Sequence, residues 1–309
     1  LGSLIAPIAL AQSFPSQPVR LIVPFPPGGS TDVLARLLAQ HLSKQWGKQV
    51  VVVNAPGGNT IIGATQAARA EPDGHTLFMP IDFTLTMNPV LYERLPYDPI
   101  RDFVPISQLT RQPLLIAVHP DLPVKDFGEF VEYAKANPEK INFGTGAIIS
   151  QVTGELLMDR TDSRMLHIPF KGSMPTLQAL LGGSIDVSIS DLSPYLPYLE
   201  SGRLRGLATT GSERAASLPD LPTVAELGYP DFASHSWFGL VAPSNTPDAI
   251  VQQIQADVHR ALMQPEVKQQ LAELGLETIA GSPSEFAEII AQESALWAPV
   301  IRQAGIKLD

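Results

Sequence analysis

Two stretches combine glycines, hydroxyls and charge at the spacing that binds an anion. The first, PFPPGGSTD, runs from Pro24 to Asp32, after an apolar run and before apolar residues at helical spacing. Strand, glycine-rich turn and helix aim free backbone N–H groups at a negative group. Gly28 and Gly29 let the backbone come close to a ligand, and Ser30 and Thr31 offer hydroxyls. The helix dipole favours negative charge there by about 0.3–1 kcal/mol, or about 2 kcal/mol when partly buried. The plainer alternative is an ordinary strand-to-helix turn in which Asp32 caps the dipole. Nucleotide and nucleophile uses fail on spacing. No Lys precedes the Ser/Thr, there is no G-x-G-x-x-G, and Asp32 stands where the second glycine of G-x-S-x-G belongs.

The second stretch, NFGTGAIISQVTGELL, repeats the pattern with Gly144, Thr145, Gly146 and Ser150 ahead of Leu156 and Leu157. Two such loops, one in each half, are what a cleft holding a dianion from both sides needs. HIPFKGSMPTL adds Lys171 as a point charge for a carboxylate and Phe170 as an aromatic wall, although most lysines are simply solvated. SISDLSPYLPYL places Asp191 and Ser193 just after a strand, where α/β folds put ligand contacts; Asp191 could equally cap the next helix. The six histidines show no H-E-x-x-H spacing, and no metal site or cofactor is expected. A Ser/His/Asp set assembled by folding has no nucleophile elbow to mark it. Binding without chemistry is the simpler account.

The elements that must position these loops alternate. VRLIVPF, QVVVVN and HTLFMP read as strands separated by helices, and IDFTLTMNP as a polar and aromatic turn. From about Arg111 the cycle restarts with PLLIAVHP, a helix from Phe127 to Ala136, then KINFG, MLHIPF, IDVSIS and LRGLATT as strands among helices. WFGLVAP leads out to C-terminal helices, the first capped by Thr246 with Pro247 opening it, the last capped by Ser284. The pattern predicts two α/β lobes with parallel sheets. Twenty-nine prolines favour rigid loops.

A net charge of -10 with no basic run argues against nucleic acid and an anionic membrane surface as partners. No cysteine is present, which excludes disulfides and thiolate chemistry and fits an oxidising compartment. LGSLIAPIALAQS reads as the apolar part of a secretory signal ending in an A-x-A site, with the mature start near Gln12. No later apolar run is long enough to span a bilayer. A periplasmic location follows as the expectation.

The succession PFPPGGSTDVLAR, VVVNAPGGNTIIGA, EPDGHTLFM, NPVLYERLPYDPIRDFVPIS, HIPFKGS, LLGGSIDVSISD and WFGLVAPSNTP closely resembles the Bug-type, TctC-like substrate-binding proteins of tripartite tricarboxylate transport systems. The likeness covers nearly the whole chain from about Phe14. It implies a type II periplasmic-binding-protein fold, an α/β architecture of two lobes with a ligand cleft between them. The implied boundaries are a residual signal peptide at 1–13, lobe I at 14–115 and 241–309, and lobe II at 116–240. It implies a monomer that captures a small organic acid, with no chemistry, and delivers it to the membrane permease subunits of the transporter. An extracytoplasmic sensor subunit is the alternative, and a small-acid enzyme using Asp32, Asp82 or Asp191 as base the remoter one.

The residues then expected at the ligand are Phe25, Pro27, Gly28, Gly29, Ser30, Thr31 and Asp32 in the first loop. Thr145, Gly146, Ala147, Ile148, Ser150 and Gln151 come from the second loop, and Phe170, Lys171, Gly172 and Asp191 from the closing lobe. This chain departs from its relatives at MPIDFTLT, which puts Pro80, Asp82 and Phe83 at the cleft edge, with Asp82, Phe83 and Thr84 expected at the ligand, and at Gln151, where relatives often have His. Phe83, Ile148, Ile149 and Phe170 would form an apolar middle between two polar ends, unless they pack within their own lobes. An apolar middle suits a dicarboxylate with an aromatic or aliphatic spacer, terephthalate/phthalate-like or adipate-like, over citrate.

Overall fold

The computed structural model describes residues 14–308, so the expected signal remnant at 1–13 lies outside the described residues. The chain opens with β1 (Val19–Val23), α1 (Ser30–Trp46), β2 (Val50–Asn54), α2 (Ile61–Ala68) and β3 (Thr76–Phe78). Two short helices follow, α3 (Asp82–Thr86) and α4 (Asn88–Leu91), and then a long strand, β4 (Phe103–Val118). Next come α5 (Phe127–Ala136), β5 (Asn142–Thr145), α6 (Ile148–Thr161), β6 (Leu166–Pro169), α7 (Ser173–Leu181) and β7 (Val187–Asp191). The chain ends with α8 (Leu196–Glu200), β8 (Arg205–Thr209), β9 (His235–Pro243), α9 (Asp248–Leu262), α10 (Pro265–Glu273), β10 (Glu277–Thr278) and α11 (Pro283–Ala304).

The strands form one path in the order β2-β1-β3-β9-β4-β7-β5-β6, with β8 and β10 also on β4. β2, β1 and β3 pair in parallel, as do β7, β5 and β6. The expected parallel sheets are therefore present in each half, but antiparallel strands join them. β4 is the join. Its first part, Phe103 to Pro113, runs against β9, and its last part, Leu114 to Val118, runs between β7 and β8. IDFTLTMNP is helix rather than turn, because α3 lies wholly buried and so shows no amphipathic pattern. Thr246 does not cap α9: its hydroxyl donates to Pro243 O, and Pro247 takes the cap position. The cap of α11 is Ser282, two residues before the expected Ser284, in a reciprocal pair with Glu285 and with Pro283 at the first position.

The 22-residue α11 ties the halves together. Phe286 and Ile290 pack with Ile22, Phe78 and Trp237 of the first half, whereas Trp297 and Ile301 pack with Ile116, Phe143 and Ile189 of the second. Between them Glu293 accepts a 2.8 Å bond from Trp237 Nε1 on β9. Withdrawal from water pushes the Glu293 carboxyl up to about 8, with the nearby Asp82 adding to the rise. The folded chain thus holds a proton that the unfolded chain releases, and stability is lost as pH rises from about 4.5 to about 8. Thermal midpoints should fall across that window, with a shallower fall in Glu293→Gln. A wild-type midpoint that rises with pH would contradict the assignment.

Candidate functional site

The first glycine loop is held from behind by Asp32, in the first turn of α1. Its Oδ2 accepts from Gly28 N at 3.0 Å and from Arg36 Nε at 2.8 Å, and its Oδ1 accepts from Asn54 Nδ2 at 2.9 Å. Asn54 also donates to Phe25 O at 3.0 Å, so both ends of the loop are pinned. The Arg36 guanidinium holds the Asp32 carboxyl down to about 2. Asp32 is therefore turned inward and neutralised, while Pro27, Gly28, Gly29 and Ser30 remain exposed. Gly28 has φ +96°, which a side chain rarely adopts.

The helix behind this loop has no side-chain cap on its N-terminus, and neither has α6 nor α7. Among the described residues only α5 and α11 have a side-chain cap, from Asp126 and Ser282. Uncapped first turns leave backbone N–H groups free to meet an anion. Thr31 and Ser150 sit in the first turns of α1 and α6, and the residues are 5% and 3% exposed. Among the described residues neither hydroxyl makes a hydrogen bond. Ala147 is exposed beside them, and Ile148 and Gln151 are half-buried.

The α6 and α7 N-termini are in direct contact. A Cβ on Gly146 would run into the backbone of Gly172 and lie 2.7 Å from Ser173 N, so only glycine permits this approach. Thr145 supports the loop from below through a 2.7 Å bond with His167 Nε2, whose pKa burial lowers. Asp191 braces the α7 side: its oxygens accept from Ser173 Oγ and from Gln112 Nε2, both at 3.1 Å. Burial raises its pKa. Lys171 is exposed and has no acidic partner among the described residues, and Phe170 is half-buried over Gly144.

The residues around α3 are more enclosed. Asp82 is fully buried and accepts from Phe83 N and from Trp237 N at 3.3 Å. Burial pushes its carboxyl up to about 7, with Asp191 close enough to add to the rise. Thr84 donates to Thr60 Oγ1 at 2.9 Å and has no exposure. Phe83 and Ile149, at 7% and 3% exposure, pack in the main core cluster with Phe143 and Leu156. Phe25 keeps contact with both large clusters. The bracing residues Asn54 and Gln112 carry no motif; their only mark in the sequence is a polar residue at the end of, or within, a buried strand.

The family model for the tripartite tricarboxylate transporter family receptor matches residues 34–306. Protein BugT of Bordetella pertussis is 36% identical over 314 residues, covering 99% of this chain and 95% of that protein. The structure of R. palustris Rpa4515 with adipate is 34% identical with a TM-score of 0.81, covering 95% of this chain and 99% of that one. MatC (Rpa3494) from Rhodopseudomonas palustris with bound malate is 33% identical with a TM-score of 0.77, covering 93% and all of that chain.

Contact between two backbones makes Gly146 the sharper test of this geometry. Gly146→Ala should separate the α6 and α7 N-termini and weaken carboxylate binding at least about tenfold, whereas Gly28→Ala, strained by about 1–3 kcal/mol but uncrowded, should weaken it less. Carboxylate-induced thermal shifts of both variants measure this. Unchanged shifts in both would place the anion site elsewhere.

Proposed function

The chain belongs to the receptor family of tripartite tricarboxylate transporters, whose members are periplasmic solute-binding proteins and not enzymes, and we propose that it captures a dicarboxylate with an apolar spacer and passes it to the membrane permease. The observation that carries this reading is the pair of uncapped helix starts, α1 and α6, each with a largely buried hydroxyl residue in its first turn, Thr31 and Ser150, whose hydroxyl makes no hydrogen bond among the described residues. One carboxylate meets the N–H groups of residues 29–31. The other meets those at the contacting starts of α6 and α7, with Lys171 alongside.

The spacer is the finer part of the proposal. Phe83 and Ile149 are committed to the core, which leaves Ile148, Phe170 and Phe25 as the apolar faces available between the two ends. A relative with adipate supports an apolar-spaced diacid, and one with malate marks the shorter alternative. Closure brings lobe I, residues 14–115 with 241–309, against lobe II, residues 116–240, by rotation about β4 and β9. Ligand contacts made only in the closed arrangement drive that rotation.

A thermal-shift panel of adipate, phthalates, malate and citrate tests the spacer. A preferred diacid at about 100 times its Kd should add about 2.7 kcal/mol of stability. Stabilisation by citrate or malate with none from adipate or the phthalates would sink the proposal.

A further inference from the structure

A cavity of about 460 Å3 lies behind the crossover strands, apart from the glycine loops. Gln112 and Ser236 are cross-strand partners whose side chains face the Asp191 and Asp82 carboxyls. Alternation along each strand sends Arg111, Pro113 and His235 to the other face, where they line this cavity. Its walls come from both halves. The 213–217 loop and Leu192 stand on one side, and α10, Leu276 and β10 on the other. The size matches that of small-molecule sites.

The charges inside are mostly matched. Arg111 is held by Glu277 through bonds of 2.7 and 3.0 Å, and Arg214 by Glu226 at 3.0 Å. Lys268, exposed at the mouth, has no acidic partner among the described residues. Deeper in, the His235 ring makes no hydrogen bond among the described residues. Burial, with Arg111 nearby, holds it neutral, with its pKa pushed down to about 4. A neutral imidazole offers one donor and one acceptor. Pro113, Leu192 and Leu276 supply the apolar wall between these two polar ends.

We propose that this cavity is a second ligand site for a small organic monocarboxylate with an apolar body and a hydroxyl tip, its carboxylate on Lys268 and its hydroxyl on His235. One cation without a partner matches one carboxylate; a second carboxylate would face Glu213, which has no basic partner among the described residues, with no further cation to compensate it. Since the walls belong to both halves, an occupant that prefers one setting of the lobes changes cleft affinity by the same factor as the cleft ligand changes its own.

The probe is 4-hydroxybenzoate, titrated calorimetrically into the full chain and three variants. Ala272 is exposed on α10 at the cavity wall, so Ala272→Trp fills the cavity without disturbing the core. The expected result is saturable binding that Gly146→Ala retains, Ala272→Trp weakens at least about tenfold and Lys268→Ala weakens about threefold. Lack of saturable binding to the wild type, unchanged affinity in either cavity variant, or loss of binding in Gly146→Ala overturns the proposal.

Discussion

The arrangement around Asp32 is the constraint on which the anion-binding loop depends. A loop that exposes its N–H groups to a ligand cannot use them to hold itself in place, so something outside the ladder must do so. Asp32 takes the Gly28 N–H and, through Asn54, fixes Phe25 O, while Arg36 cancels its charge. A carboxylate beside an anion site is thereby made harmless to that anion. Asp191 has the same task on the α7 side, but by another means. It has no arginine and instead holds Ser173 and Gln112 within a site withdrawn from water. The two loops are therefore stiff for different electrostatic reasons.

Stiff loops serve a clamp only if the halves that carry them can move as units. β4 serves both halves, and its change of partners at Pro113 and Leu114 marks where one sheet gives way to the other. α11 crosses the same boundary with its early residues in one core and its late residues in another. Trp237, bonded to both Glu293 and Asp82, joins strand, strap and α3 at that point. Any rotation of the halves must pass through this buried acidic junction, so its protonation and the setting of the cleft share a structural element.

Legibility in the sequence followed amphipathicity. α5 is readable to the residue because Phe127, Phe130, Val131 and Ala134 mark one buried face after the Asp126 cap. α3 shows no such face because all five of its residues are buried. The first half of β4 hides behind Pro105, Gln108, Arg111 and Pro113, and behind two register shifts that break the alternation of a strand. The glycine loops stand out because glycine clusters are local signals. Their braces do not, because Asn54 reaches Asp32 across 22 positions and Gln112 reaches Asp191 across 79. The apolar middle fell between these cases: composition placed Phe83 and Ile149 near the cleft, and only packing shows that the core takes them.

The proposed capture of an anion by a chain of net charge -10 poses the remaining physical question, and range answers it. Exposed carboxylates more than about 8–10 Å away are screened by salt, whereas N–H dipoles at a helix start act at contact distance. The nearby acids are the ones that matter, and each is weakened as a repulsive charge. Asp32 is paired with Arg36, while burial raises the pKa values of Asp82 and Asp191 and so disfavours their charged forms. The global charge then keeps the protein soluble without setting the sign of its ligand. Local dipoles set that sign, and the glycines that let a ligand reach them are the reason the two loops carry no larger side chains.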